Sequence, residues 1–221
     1  MSESFLKESP GQPAVRGFLH RAGKSFDGLV LTHGAGGNCN SQLLIALAES
    51  LCVKGITVLR CDLPFRQARP QGPPMGTAEQ DQAGLRHASQ ALRKLVSGGL
   101  FLSGHSYGGR MATMLAAHDP AVADGLLLLS YPLHPPRKPQ QLRTAHFPKL
   151  NTPALFVHGT RDPFGSIEEM QSALSLIPAQ TRLLSIEGGG HDLLPISKRE
   201  QAVEAIVSSF VEWTEVANKP R

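Results

Sequence analysis

The chain has 221 residues, and its 22 Lys and Arg against 18 Asp and Glu give a formal charge of +4, too mild an excess to point to nucleic acid. The length suits one domain, residues 1–221, with a sizeable core, and no uninterrupted apolar run approaches the ~18 residues of a membrane span. Cys39, Cys52 and Cys61 lack metal-type spacing, and residues 1–10 show no export signal, so reduced thiols in a cytoplasmic protein are expected.

In chain order, residues 15–20 read as a first, edge-like strand, followed by a turn over 23–27. The apolar run 29–32 is a short strand leading into Gly34-Ala35-Gly36-Gly37. Residues 41–54 have helical apolar spacing, with Asn40 as N-cap and Gly55 just beyond the end. A strand at 56–59 and a Pro-, Gly- and Arg-rich loop at 64–76 come next. Thr77 and Gln80 stand in capping-box positions for a helix reaching about residue 96. Strand 100–102, helix 110–117 and the leucine-rich strand 125–130 follow. The proline-rich segment 132–152 is irregular, a loop or a single short helix. Strand 154–157, helix 166–177, strand 182–186 and an amphipathic helix at 197–216 complete the chain. Strand–helix alternation predicts an α/β fold with a mainly parallel sheet, helices on both faces, and a site at the carboxyl ends of the strands.

Gly104-His105-Ser106-Tyr107-Gly108 lies where strand 100–102 gives way to helix 110–117. In that setting the run resembles the nucleophile elbow of the α/β-hydrolase superfamily. A serine hydroxyl is a poor nucleophile at neutral pH; it needs a base within reach, and the base needs an orienting carboxylate. The resemblance implies the order Ser, Asp or Glu, His. Ser106 is the candidate nucleophile, Asp162 in His-Gly-Thr-Arg-Asp-Pro the acid, and His191 in Glu-Gly-Gly-Gly-His-Asp the base. Asp192 competes for the acid's place, and His105 and His158 for the base's. His20, His87, His118, His134 and His146 read as surface or loop residues. Two preorganised N–H donors are needed for an oxyanion. The resemblance implies Tyr107 for one and the 33–37 loop for the other, Ala35 first and Gly36 second. That loop lacks the Lys-Ser/Thr ending of a P-loop and full Gly-x-Gly-x-x-Gly spacing, which argues against a nucleotide.

The His-Gly-Ala-Gly-Gly loop, the Gly-His-Ser-Tyr-Gly-Gly-Arg elbow, the acid loop and the Gly-Gly-Gly-His-Asp loop occur in order. With them the chain resembles α/β hydrolases over essentially its full length. More narrowly, the acid loop and Ser130-Tyr131-Pro132-Leu133-His134-Pro135-Pro136 resemble the small, lidless, dienelactone-hydrolase-like bacterial branch. Dienelactone hydrolase has a cysteine nucleophile where this chain has Ser106, so the likeness fixes no substrate. It implies a three-layer sandwich without a large cap domain, acyl-group hydrolysis, and no cofactor or metal. A small-molecule ester or thioester is the expected partner, with neither nucleic acid nor membrane, on a monomer or homodimer. A non-catalytic scaffold binding a partner is the alternative, and another reaction on the same fold stays open. Gly34, Gly36, Arg66 and Phe164 are candidate substrate-binding residues. Arg66 and Arg69, and Arg137, Lys138, Arg143 and Lys149 of the irregular segment, suit a carboxylate or phosphate, or else form a solvated basic face. Phe65, Tyr107, Leu133 and Phe164 are candidates for an acyl pocket or for core, and Cys39 for a small buried residue.

Overall fold

The computed structural model describes residues 2–23, 26–194 and 198–217. One sheet holds β1 (Ser2–Ser9), β2 (Gln12–His20), β3 (Gly28–Thr32), β4 (Thr57–Cys61), β5 (Leu100–His105), β6 (Gly125–Leu129), β7 (Ala154–Gly159) and β8 (Thr181–Ile186). Their order is β1-β2-β4-β3-β5-β6-β7-β8. β1 pairs antiparallel with β2 and β2 with β4, and every later pairing is parallel. The carboxyl ends of the parallel strands therefore share one edge of the sheet.

Strands β3 to β7 are buried on both faces. Along β6, Leu126 and Leu128 enter one core while Leu127 and Leu129 enter the other, the period of two expected of a pleated strand. Helices α3 (Ala78–Arg93), α4 (Tyr107–His118) and α5 (Ile167–Leu174) cover the first face; α1 (Gln42–Val53) and α6 (Arg199–Ala217) cover the second. Buried on both sides, the central strands read as continuous leucine-rich runs. Phe101 of β5 packs edge-on against Phe210 and Trp213 of α6. Among the described residues, no helix is long and apolar enough to cross a membrane.

Several expectations need correction. Residues 15–20 are part of an interior strand, because β1 pairs outside them. β1 reads Ser-Glu-Ser-Phe-Leu-Lys-Glu-Ser and is mostly exposed, so apolar periodicity does not reveal it. It turns back at Pro10-Gly11, where Gly11 takes φ 72°. The 64–76 loop begins with a short helix, α2 (Pro64–Ala68), whose first residue is the proline that helix starts tolerate. α1 is preceded by Ser41, not Asn40, and its cap makes no side-chain hydrogen bond. Gly55 does sit past its end, with φ 90°. The Thr77–Gln80 capping box forms, but α3 ends at Arg93. α4 starts at Tyr107, directly after the elbow. The 132–152 segment holds a single 3₁₀ turn, Phe147–Lys149. Parts of the 23–27 turn, and Ser197, lie outside the described residues.

Candidate active site

β5 runs into α4 with only Ser106 between them, and Ser106 takes φ 49°, ψ −112°. Such a conformation costs a non-glycine residue about 1–3 kcal/mol and persists only when its surroundings enforce it. Here its N–H donates to the Leu129 carbonyl at 2.8 Å and its carbonyl accepts from Arg110 N–H at 3.0 Å. The glycines are needed for close approach: a Cβ on Gly108 would fall 2.6 Å from the His33 carbonyl oxygen, and one on Gly104 would overlap the Gly108–Gly109 peptide.

His191 Nε2 lies 2.7 Å from Ser106 Oγ. His191 Nδ1 lies 2.8 Å from Asp162 Oδ2 and 3.1 Å from Oδ1. A carboxylate only accepts, so Nδ1 carries the proton, Nε2 has a free lone pair, and the Ser106 hydroxyl donates to it. Asp162 is buried. Burial works against its charge, but the His191 hydrogen bond and charge, the Phe164 N–H at 2.9 Å and nearby His158 together hold its carboxyl below the usual range. The imidazole also stacks on the Phe164 ring, centroids 4.2 Å apart.

The loops after β7 and β8 are zipped together. Arg161 N–H donates to Gly189 O at 2.9 Å, Thr160 N–H to Ile186 O at 3.1 Å, and Gly188 N–H to Thr160 Oγ1 at 2.9 Å. Of the three glycines before His191, only Gly188 uses a positive φ, 72°. Gly159 admits the second loop, since a Cβ there would lie 2.6 Å from Gly190 O. Asp192 stays out of the relay and accepts from Leu194 N–H at 3.4 Å.

The competing histidines have other partners. His105 Nε2–H donates to the His191 carbonyl at 2.7 Å, and burial pushes its pKa down to about 4. This neutral imidazole ties the elbow to the His191 loop. His158, wholly buried, donates to the Gly165 carbonyl at 2.8 Å. His20, His87 and His134 are buried and hydrogen-bonded rather than superficial. His146 is half-buried, and His118 alone of this group is exposed.

The loop after β3 is held from below. His33 Nδ1–H donates to Gly34 O at 2.8 Å, and its Nε2 accepts from Leu63 N–H at 3.1 Å. Arg66 is buried, and its guanidinium donates to Ala35 O at 2.6 Å, Gly72 O at 3.0 Å and Arg69 O at 3.3 Å. It does not line the cavity over Ser106. The expectation that Arg66 meets substrate is therefore replaced by a role in shaping the loop. That cavity, of about 690 Å³, is lined by Gly34, Ala35, Gly36, Tyr107 and Phe164 together with Ser106 and His191. Phe65 and Leu133 belong to the core instead. Cys39 is buried, which with neighbouring Asp62 pushes its thiol pKa up to about 12. Arg110 and Arg143 also line the cavity. The Arg110 contribution went unread in the sequence, although its spacing from Ser106, one helical turn, was a usable signal. Among the described residues, no three His, Cys, Asp or Glu side chains cluster as a metal site would require.

This sheet, elbow and relay define the α/β serine hydrolase fold. Residues 26–216 match the family model described as an alpha/beta hydrolase domain, and the chain belongs to that family. It superposes on an alpha-beta serine hydrolase homologue from Coxiella burnetii with a TM-score of 0.74 at 18% identity, covering 94% of this chain and 96% of that one. A serine hydrolase without a lid from Xanthomonas campestris gives 0.73 at 17% identity, covering 96% and 94%. Dienelactone hydrolase from Anabaena variabilis gives 0.76 at 20% identity, covering 96% of both. Among the described residues, no large extra domain interrupts the fold.

Proposed function

We propose that this chain hydrolyses a small-molecule ester or thioester through an acyl-enzyme formed on Ser106. The observation that carries the reading is the unbroken relay from Ser106 Oγ through His191 to buried Asp162. Ser106 Oγ attacks the carbonyl carbon as His191 Nε2 takes its proton. Asp162 holds the tautomer and stabilises the imidazolium that results. The C–O or C–S bond then breaks, and His191 returns the proton to the leaving group. Water, deprotonated by His191, attacks the acyl-enzyme and releases the acid with Ser106 restored.

The tetrahedral oxyanion needs N–H donors at the cavity wall. Tyr107, at the first turn of α4, supplies one. For the other, Ala35 C=O and Gly36 N–H share one planar trans peptide and point in opposite directions. Arg66, which lies outside the cavity wall, takes the Ala35 carbonyl. The Gly36 N–H is then turned away from Arg66, which favours Gly36 over Ala35 as the second donor.

Labelling with a fluorophosphonate, read by intact mass and peptide mapping, tests the reading. The expected result is one adduct on Ser106 that is absent in His191→Ala. A folded protein that takes no adduct would refute it and leave a binding scaffold.

A further inference from the structure

Arg110 and Arg143 share the cavity wall with Ser106. Arg110 lies in the first turn of α4, where its N–H donates to the Ser106 carbonyl at 3.0 Å. Arg143 comes from the irregular segment between β6 and β7. Tyr131 OH donates to the Arg143 carbonyl at 2.7 Å, and Arg143 Nη1 donates to Pro132 O at 3.3 Å. Neither guanidinium has a carboxylate partner among the described residues. Arg110 Nε is buried without any hydrogen-bond partner. Elsewhere the chain pairs comparable side chains: Arg86 with Asp119, and Arg93 with Asp124 at 2.7 Å.

A buried guanidinium N–H without an acceptor is costly, and a second arginine beside it adds repulsion. Burial, and then the charge of Arg110, lower the pKa of Arg143 below the usual arginine value. Two planar forks facing one space can each grip a planar or tetrahedral oxyanion. An acyl carbonyl docked at Tyr107 N–H would project its chain from the start of the helix that carries Arg110. We propose that Arg110 and Arg143 form a subsite for an anionic oxygen group, a carboxylate or a phosphate, at the far end of the substrate's acyl chain. The assignment of this anion to an ester's acyl group rests on the hydrolase reading above.

The test compares kcat/KM for mono-4-nitrophenyl glutarate and 4-nitrophenyl pentanoate, acyl groups of equal length, after subtraction of spontaneous hydrolysis. The wild type is expected to favour the glutarate by about tenfold or more, the worth of one charge-assisted contact. Arg110→Gln and Arg143→Gln should each bring the ratio close to one, whereas Lys138→Gln on the same segment should leave it unchanged. A ratio near one in the wild type overturns the proposal, as does a preference that survives both substitutions. Adding 4-nitrophenyl 4-phosphonobutanoate separates the sources: the better of the two anionic esters identifies carboxylate or phosphate. Calorimetry of monomethyl glutarate and methyl pentanoate on Ser106→Ala tests the subsite without turnover, since only the first carries a carboxylate. Tighter monomethyl glutarate binding that Arg110→Gln weakens supports it even when no ester is cleaved, in which case only the hydrolase reading falls. Equal affinity of the two esters overturns the subsite even when both nitrophenyl esters are cleaved.

Discussion

Arg66→Gln separates a residue that merely stabilises from one that aims a catalytic donor. The guanidinium is buried and bridges three carbonyls, of Ala35, Gly72 and Arg69. Hydrogen bonds to a charged group contribute about 1.5–3 kcal/mol each, and a glutamine amide recovers one of the three. The net loss is therefore about 3–6 kcal/mol, or roughly 6–24 °C in Tm for a protein of this size. Stability alone does not touch kcat. If the Arg66–Ala35 bond turns Gly36 N–H toward the oxyanion, its loss frees that peptide to rotate, and kcat should fall by about 10- to 10³-fold. KM should stay within about threefold, because the lost interaction belongs to the transition state. Arg66→Lys, which restores one charged donor, should recover part of kcat. The assay is steady-state kinetics on 4-nitrophenyl butyrate beside a thermal melt. A clear drop in Tm with kcat unchanged would show that Arg66 only braces the 64–72 segment, and the choice of Gly36 would fall with it.

Ser106→Ala should abolish ester hydrolysis with a thermal melt like that of the wild type, and His191→Ala should be nearly as severe; residual activity in a folded Ser106→Ala protein refutes the nucleophile. Asp162→Asn should cost about 10³–10⁴ in kcat and Asp192→Asn far less, and the reverse ranking would mean that the wrong carboxylate was chosen. His105 has its pKa depressed to about 4, against 6.5 when unfolded. The unfolded chain therefore binds more protons between those values, and stability falls as pH drops through that window. The loss from this one group is about 2 kcal/mol between pH 8 and pH 5, so urea midpoints should fall over that range and fall less in His105→Gln. An equal fall in the variant would place the acid sensitivity elsewhere. Gly108→Ala should fail to accumulate as folded protein, since its Cβ has only 2.6 Å to the His33 carbonyl oxygen; wild-type melting of this variant would show that the elbow has slack.

What the sequence revealed, and what it hid, follows from how each feature is encoded. β6 and the central strands announce themselves because burial on both faces demands continuous apolar runs. β1 carries no such signal, because an edge strand exposed along most of its length is held by main-chain bonds that any sequence can make. The relay residues stood out because strand ends and glycine-rich turns mark the few places where a loop can bring a side chain over the sheet. His87 and Arg66 are hidden for a different reason. A polar residue outside an apolar pattern reads as solvent-facing, whereas these two are buried against carbonyls brought from distant segments, at Pro13 and Ala35. Their partners lie 74 and 31 positions away, so no local pattern encodes the contact. The same limit explains the cavity arginines. Arg143 alone is one basic residue in a basic segment, and Arg110 alone is one polar position on a helix. Their meaning arises when the fold sets both on the cavity wall with Ser106 and gives neither a counter-ion among the described residues. On the proposed reading, a positive charge left unpaired beside Ser106 is the feature of this site most directly tied to what it would bind, because the proposed relay would serve any acyl group.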